Sequence, residues 1–272
     1  MRVIYVTVVF VTMTSALIAV QWVLRTFKLP GWGAVATRYY KILCSVLGIH
    51  VRIVGEPVRG RPVLIVANHM SWADIPVIGT ITPLAFVSKS EIAKWPLIGP
   101  AAKAQHTVFV DRSRRQQTGD AIAEMAQRLQ QNIPVVLFAE GTSSDGNRVL
   151  PFRSSLVGAV KDVFAQKKGE VEVLIQPMSI CYTGHQGLPM GRQHRPLVAW
   201  YGDLDFTPHL KEFIQRGAMD AVVTFGEPIS FSADRKTVTK AIESTVRKLT
   251  AAALRGRPLA LEKTEDPPAN AA

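Results

Sequence analysis

The chain has 272 residues, of which 47% are hydrophobic and 19% are charged, and its mean hydropathy is +0.14. It carries a formal charge of +11 and two cysteines, Cys44 and Cys181, which excludes a disulfide framework and a cysteine-based zinc cluster. A chain of this size buries a large core and keeps apolar surface for lipid. Its positive charge favours an anionic partner: nucleic acid, an anionic membrane face or an acidic carrier protein.

The chain begins with an apolar run. Residues 3–24 hold no formal charge and are long enough to cross a bilayer. We expect residues 1–30 to be a membrane anchor that spans the bilayer or lies in its interface. A signal peptide and a buried core helix are the alternatives. Arg2 on one side and Arg25 and Lys28 on the other leave the orientation of the run open.

Short apolar runs alternate with helical patterns after the anchor. Ile122, Met125, Ala126 and Leu129 repeat at helical spacing, with Thr118 or Asp120 as a candidate cap. This order predicts an α/β fold with a mostly parallel sheet flanked by helices. We expect one domain over residues 31–258 and a disordered tail over 259–272. The predicted strands are residues 51–54, 63–66, 84–87, 107–110, 135–138, 171–175 and 221–225, and a closing helix contains Val238, Ile242, Val246 and Leu249.

Polar residues follow the ends of three predicted strands. His69 and Asp74 follow the second strand, Arg112 the fourth, and Glu140 with Gly141 the fifth. The carboxyl ends of parallel strands meet at one edge of a sheet, so these loops can converge on one pocket. An arginine suits an anionic group there, and a glycine lets the backbone approach a ligand closely.

The His-x4-Asp spacing predicts a general base. If the turn folds back, Asp74 bonds one imidazole nitrogen of His69 and leaves the other nitrogen facing a hydroxyl. The alternative is that His69 caps a helix and Asp74 is solvated. The spacing alone does not decide between these interpretations.

Four ordered blocks make the sequence resemble the glycerolipid acyltransferase family. The first is that family's Asn-His-x4-Asp, and residues 89–99 resemble its linker to the second block. The third block departs from the family pattern, because Ala139 and Ser143 stand where proline and arginine are usual. The blocks are Asn68, His69 and Asp74; Phe109, Val110, Asp111 and Arg112; residues 138–144; and Leu174, Ile175, Gln176 and Pro177.

The resemblance implies transfer of a fatty acyl group from acyl carrier protein or acyl-CoA to a lysolipid hydroxyl. It implies no metal and no cofactor, and a place at the bacterial inner membrane with the site near the cytoplasmic face. His69 and Asp74 are the expected catalytic residues. The expected substrate-binding residues are Asn68, Lys89, Arg112, Glu140, Gly141 and Thr142.

The acceptor depends on the departure at Ser143. Residues 140–152 resemble the branch that acylates lyso-ornithine lipid, whose head is an amino acid without phosphate. Loss of the arginine weakens a phosphate site, while Glu140 and Asp145 suit an amino group. The alternative is that Arg148 or Arg153 replaces the arginine and that 1-acyl-glycerol-3-phosphate is the acceptor.

Other classes of protein fit less well. A serine hydrolase of the nucleophile-elbow type needs Gly-x-Ser-x-Gly, which does not occur. The cations are scattered among apolar strands without an aromatic-basic platform, so we expect no nucleic-acid partner. A non-catalytic membrane adaptor of the same fold is expected to lose His69 or Asp74, and both are present.

Overall fold

Helices and strands alternate along the chain, as the apolar pattern predicts. The structure is a computed structural model that describes residues 1–111, 115–155, 157–158, 173–230 and 234–257, with backbone alone for 115–118. The helices are α1 (Arg2–Thr26), α2 (Trp32–Leu47), α3 (Asp74–Gly79), α4 (Ile98–Ala104), α5 (Arg115–Gln130), α6 (Phe206–Arg216) and α7 (Arg235–Leu254). The strands are β1 (Ile49–Val54), β2 (Val63–Ala67), β3 (Ala85–Lys89), β4 (Val108–Val110), β5 (Val135–Phe138), β6 (Leu174–His185), β7 (Leu188–Pro189), β8 (Met219–Phe225) and β9 (Ile229–Ser230).

The strands form one mixed sheet in which parallel pairing dominates. Across the described residues its order is β1-β8-β6-β2-β5-β3-β4, and the short strands β7 and β9 pair with β6. The pairs β6–β2, β2–β5, β5–β3, β3–β4 and β1–β8 are parallel, whereas β6 and β8 are antiparallel. The prediction of a mostly parallel sheet flanked by helices is confirmed. The carboxyl ends of β2, β5, β3 and β4 therefore share one edge, which we call the carboxyl edge.

Helices cover the central strand β2 on both faces of the sheet. Val63, Ile65 and Ala67 pack with α1, α2, α3 and α6 on one face, the α1 face. Leu64 and Val66 pack with α5 and α7 on the other, the α7 face. Successive side chains of a strand point to opposite faces, so a strand covered twice reads as an unbroken apolar run.

Helix α1 lies along the α1 face. Thr14 Oγ1 and the Tyr39 hydroxyl are 2.8 Å apart, and Gln21 Nε2 donates to the Trp32 carbonyl at 2.8 Å. The helix is long and apolar enough to cross a membrane, and 17% of its most apolar window is buried. This low burial contradicts the alternative interpretation of the N-terminal apolar run as a buried core helix. The buried residues are Val6, Thr14, Leu17 and Gln21, and the exposed apolar ones include Ile4, Tyr5, Val8, Val11, Val20, Trp22 and Val23.

Both ends of α1 are tied to the domain. Arg2 Nη2 donates to the Leu47 carbonyl at 3.1 Å, at the end of α2. Arg25 Nη1 donates to the Lys103 carbonyl at 3.4 Å, in α4. The arginines that flank the apolar run thus bind backbone carbonyls of neighbouring helices.

Two sequence predictions need correction. Helix α5 begins at Arg115, so Thr118 and Asp120 lie inside it and neither is its cap. Arginine and glutamine are good helix formers, and they extend the helix beyond the apolar pattern. The apolar run predicts a strand over residues 171–175, whereas β6 has 12 residues and continues to His185. Residues 171–172 lie outside the described part of the chain.

Candidate active site

The turn between β2 and α3 carries a histidine–aspartate pair. His69 Nδ1 lies 2.8 Å from Asp74 Oδ2, and the same oxygen accepts the backbone N–H groups of Met70 at 2.8 Å and Ser71 at 3.0 Å. Asp74 is fully buried, whereas 21% of the His69 side chain is exposed. A carboxylate only accepts hydrogen bonds, so it holds the proton on Nδ1 and leaves Nε2 with a free lone pair. Asp74 also begins α3, where the helix dipole favours negative charge.

A tyrosine from a distant strand completes the shell around Asp74. The Tyr182 hydroxyl donates to Asp74 Oδ1 at 3.1 Å. Tyr182 is fully buried in β6, and burial, followed by the charge of Asp74, raises its pKa well above its ordinary value. The hydroxyl therefore stays protonated and donates to the carboxylate at every physiological pH. Tyr182 lies beyond the predicted strand of residues 171–175, and the sequence gives no signal of its partner, 108 residues away.

Asn68 anchors the start of the same turn to β6. Its Nδ2 donates to the Ile180 carbonyl and its Oδ1 accepts the Ile180 N–H, each at 2.9 Å. These bonds come directly after the last β2–β6 ladder pair, Ala67 with Met178. The buried amide thus prolongs the strand pairing by a side chain and fixes where the turn begins. Substrate contact by Asn68 stays a prediction.

The loop after β5 packs against His69 and Met70. The Phe138 ring stacks on the imidazole with 4.1 Å between ring centroids, and the Ser144 N–H donates to the His69 carbonyl at 2.9 Å. Gly146 has a φ of +76°, and a Cβ there would lie 2.3 Å from Cε of the buried Met70. The positive φ favours glycine, and any side chain there would also have to displace the end of the Met70 side chain. Phe138, the last residue of β5, thus covers one side of the imidazole ring, and the loop that follows holds the backbone of the turn.

Glu140 is buried beside the pair. Only 2% of the residue is exposed, and burial raises the pKa of its carboxyl to about 8. The backbone amides of Leu150 and His69 face it and offset part of that rise, although neither oxygen meets a donor at regular hydrogen-bond geometry. At neutral pH the carboxyl is therefore protonated. It can donate a hydrogen bond to a substrate oxygen, and it is not a ready counter-ion for an amine.

A chain of hydrogen bonds joins Ser143 to the turn between β2 and α3. Ser143 Oγ donates to the Trp200 carbonyl at 2.5 Å, and the Trp200 N–H donates to the Met70 carbonyl at 2.8 Å. Ser143 thus holds together three loops at the position where the resembling family carries arginine. The sequence did not reveal this bond, because Trp200 is 57 residues away in an irregular segment.

Half-buried aromatic rings flank the turn. Trp95 lies with its ring centroid 4.9 Å from that of Phe206, and Phe206 also meets Trp72 and Trp200. The indole N–H of Trp72 donates to His209 Nδ1 at 3.1 Å, and burial lowers the pKa of His209, which keeps this acceptor neutral. The structure places Trp72 and Trp95 in one aromatic cluster at the edge of the site.

The remaining predicted residues lie at the carboxyl edge or outside the described residues. Lys89 is the exposed last residue of β3, and Thr142 is exposed beside Gly141, whose φ is +75°. Arg112 lies outside the described residues. Within those residues, no cluster of histidine, cysteine and acidic side chains can hold a metal ion. Burial raises the pKa of Cys44 to about 12 and of Cys181 to about 11, so neither is a ready nucleophile.

A carboxylate-oriented histidine with a free nitrogen, at the edge of such a sheet, has the geometry of a general base for a hydroxyl group. Residues 50–181 match the family described as Acyltransferase. The chain is 42% identical over 259 residues to the lyso-ornithine lipid O-acyltransferase of Brucella abortus, covering 94% of this chain and 96% of that one. The chain belongs to the acyltransferase family.

Other relatives agree with this membership, and one solved structure has a similar fold. The lyso-ornithine lipid O-acyltransferase of Pseudomonas aeruginosa is 30% identical, over 83% of this chain and 84% of that one. The 1-acyl-sn-glycerol-3-phosphate acyltransferase of Neisseria gonorrhoeae is 34% identical over 42% of this chain and 45% of that one. The 1-acyl-sn-glycerophosphate acyltransferase PlsC of Thermotoga maritima shares the fold, with a TM-score of 0.63, 24% identity, and coverage of 93% of this chain and 98% of that one.

Proposed function

We propose that this acyltransferase moves a fatty acyl group from a thioester to the hydroxyl of lyso-ornithine lipid. The observation that carries the proposal is the His69–Asp74 pair, with the carboxylate buried and the imidazole partly open to a substrate. Relatives that align over nearly the whole chain bear this activity in their names, which supports the acceptor.

In the proposed reaction, His69 is a general base. Its Nε2 takes the proton of the acceptor hydroxyl as the oxygen attacks the thioester carbonyl carbon. The new ester bond forms, the carbon–sulfur bond breaks, and the imidazolium returns the proton to the leaving thiolate. Asp74 keeps its hydrogen bond to Nδ1 and stabilises the imidazolium. General base catalysis of this kind contributes on the order of 10²–10⁴-fold to the rate.

Ser143 supports an acceptor without phosphate. A serine bonded to the Trp200 carbonyl offers no cation where the family's arginine holds an anion. Asp145, whose carboxylate accepts the Asn147 N–H at 3.0 Å, suits the amino group of the head better than the protonated Glu140 does. The second candidate acceptor is 1-acyl-glycerol-3-phosphate, favoured by the exposed Arg148 and Arg153.

We further propose that α1 lies in the interface of the bacterial inner membrane, with the site at its cytoplasmic face. A helix tied at both ends to the domain and apolar on its outer side suits a position flat on the bilayer. Residues 1–30 are then the anchor, residues 31–258 the acyltransferase domain and residues 259–272 a tail. Acyl carrier protein and acyl-CoA are the two candidate donors.

The experiment offers the detergent-extracted protein a palmitoyl thioester with lyso-ornithine lipid or 1-acyl-glycerol-3-phosphate. We expect preference for lyso-ornithine lipid, and a loss of on the order of 10²–10⁴-fold in His69→Ala. His50→Ala is the matched control, because His50 has a side chain 75% exposed and pairs with Asp220 away from the site. Preference for the phosphate acceptor would overturn the acceptor, and near-normal turnover by His69→Ala would overturn the mechanism.

A further inference from the structure

A groove at the carboxyl end of α7 is rich in cations. Arg247, Lys248, Arg255 and Arg257 line an open cavity of about 860 Å³, together with Ser244, Ala251 and Ala252. We call this the basic groove. Residues 235–257 hold one acid, Glu243, and seven cations: Arg235, Lys236, Lys240, Arg247, Lys248, Arg255 and Arg257.

The positive charge of the basic groove is largely uncompensated. Glu243 Oε1 pairs with Arg247 at 2.9 Å, and its Oε2 accepts the Phe152 N–H at 2.9 Å. Both carboxylate oxygens of Glu243 therefore already have partners within the protein. Among the described residues no carboxylate pairs with Lys248, Arg255 or Arg257, all of which are exposed. An exposed excess of one sign attracts a partner of the other sign.

The basic groove lies close to the carboxyl edge of the sheet. Thr250 lies in the part of α7 that lines the basic groove, and its hydroxyl is 2.8 Å from the hydroxyl of Ser179 in β6. The next residue of β6, Ile180, is the one that anchors Asn68. Arg247 is also close enough to Glu140 to favour the charged form of its carboxyl. One strand, β6, thus separates the basic groove from the turn that carries His69.

The groove belongs to the face of the sheet that α1 does not cover. Val238, Ile242 and Val246 of α7 pack on the α7 face, while Val6 and Leu17 of α1 pack on the α1 face. A bilayer that receives the apolar side of α1 therefore lies on the opposite side of the sheet from α7. This arrangement favours a water-soluble acidic partner over a lipid surface.

We propose that the basic groove is the docking surface for the acidic face of an acyl carrier protein. The carrier then presents its thioester to His69 from the α7 face, while the lysolipid arrives from the α1 face. The lining combines two alanines with four cations, a mixture of apolar and polar groups that protein interfaces also contain. The inference rests on the proposed acyl transfer and selects the carrier protein as the donor.

The test compares the double variant Lys248→Glu/Arg255→Glu with Arg59→Glu. Arg59 is an exposed cation in the turn before β2, at the edge of the sheet opposite His69. The first probe is acyl carrier protein with a palmitoyl group in amide linkage, which binds but cannot be transferred, titrated by fluorescence anisotropy at low and high salt. The second readout is kcat/KM with palmitoyl-acyl carrier protein and with palmitoyl-CoA.

We expect the double variant to bind the amide probe about tenfold more weakly at low salt, with a smaller difference at high salt. Its kcat/KM should fall further with the carrier protein than with palmitoyl-CoA, and Arg59→Glu should behave as wild type. Unchanged probe binding, or an equal fall with both donors, would overturn the docking surface. Weaker binding to anionic phospholipid vesicles with carrier binding unchanged would overturn it too and assign the groove to a membrane. The binding titration stands even if neither acceptor is acylated, so failure of the proposed function is seen separately.

Discussion

At the scale of single residues, Asp74 is the most constrained group of the site. Its two oxygens accept from His69, two backbone amides and Tyr182, so the carboxylate has one orientation. A hydrogen bond to a charged group is worth about 1.5–3 kcal/mol. Removing a single donor should therefore loosen the carboxylate without unfolding the protein.

Tyr182→Phe removes the donor to Asp74 Oδ1 and keeps the ring. We expect kcat to fall on the order of tenfold with little change in KM, because the imidazole loses orientation and not its substrate contacts. The measurement is steady-state kinetics with one acceptor and one donor.

Tyr39→Phe is the matched control, since it removes another buried hydroxyl, the one beside Thr14. Both variants should lose comparable stability, while only Tyr182→Phe should lose turnover. Equal kcat in the two variants would contradict a positioning role for Tyr182.

Glu140 gives stability a pH dependence of defined sign. Its pKa is about 8 in the folded protein against an ordinary value of 4.5, so the folded state binds the proton more tightly. Stability due to this group therefore falls as the pH rises between these two values and is level outside them. Glu140→Gln cannot ionise and should lack this loss.

The measurement is the unfolding temperature of wild type and Glu140→Gln from pH 5 to 9. The difference between the two proteins should grow in favour of the glutamine variant as the pH rises towards 8 and then stop growing. Taking the difference between the two proteins cancels the contributions of other titrating groups to the pH dependence. One such group is His106, whose pKa burial lowers to about 4. A difference that is constant with pH would contradict a protonated Glu140 in the folded state.

At the scale of elements, α1 is part of the domain surface as well as the proposed anchor. Deleting residues 1–30 uncovers the α2 side chains against which α1 packs, including Tyr39. We expect the shortened protein to unfold at a lower temperature and to aggregate without detergent, because apolar surface becomes exposed. Thermal unfolding and size-exclusion chromatography measure both effects.

The matched control is Val8→Ser/Val11→Ser, which alters exposed positions of α1 and leaves its packed stripe in place. This variant should bind vesicles less and keep its unfolding temperature. A shortened protein as stable and monomeric as the full chain would show that α1 contributes nothing to the domain.

The sequence predicts local elements well and contacts between distant ones poorly. Strand β2 and the His69–Asp74 turn follow from an apolar run and a five-residue spacing, both of which are local. The roles of Tyr182 and Trp200 depend on β6 and on an irregular segment that return to the turn from far along the chain. The antiparallel β6–β8 pair also escaped prediction, because alternating elements indicate a parallel sheet and do not reveal a reversal within it.

At the scale of the whole molecule, the two faces of the sheet suit two substrates bound together. In the proposed reaction His69 acts as a base and carries no acyl group, so the acyl group should pass directly between donor and acceptor. We expect initial-rate plots at several fixed acceptor concentrations to give intersecting lines. Parallel lines would indicate a covalent acyl-enzyme and contradict direct transfer.

The two hydrogen bonds between Asn68 and Ile180 also determine when activity can arise during synthesis of the protein. The two residues are 112 positions apart, so the histidine and the aspartate leave the ribosome long before their brace does. A nascent chain that ends before β6 holds the base without the tyrosine and the strand that orient it. We therefore expect the growing polypeptide to be inert towards thioesters, with acyl transfer beginning only after the centre of the sheet has closed.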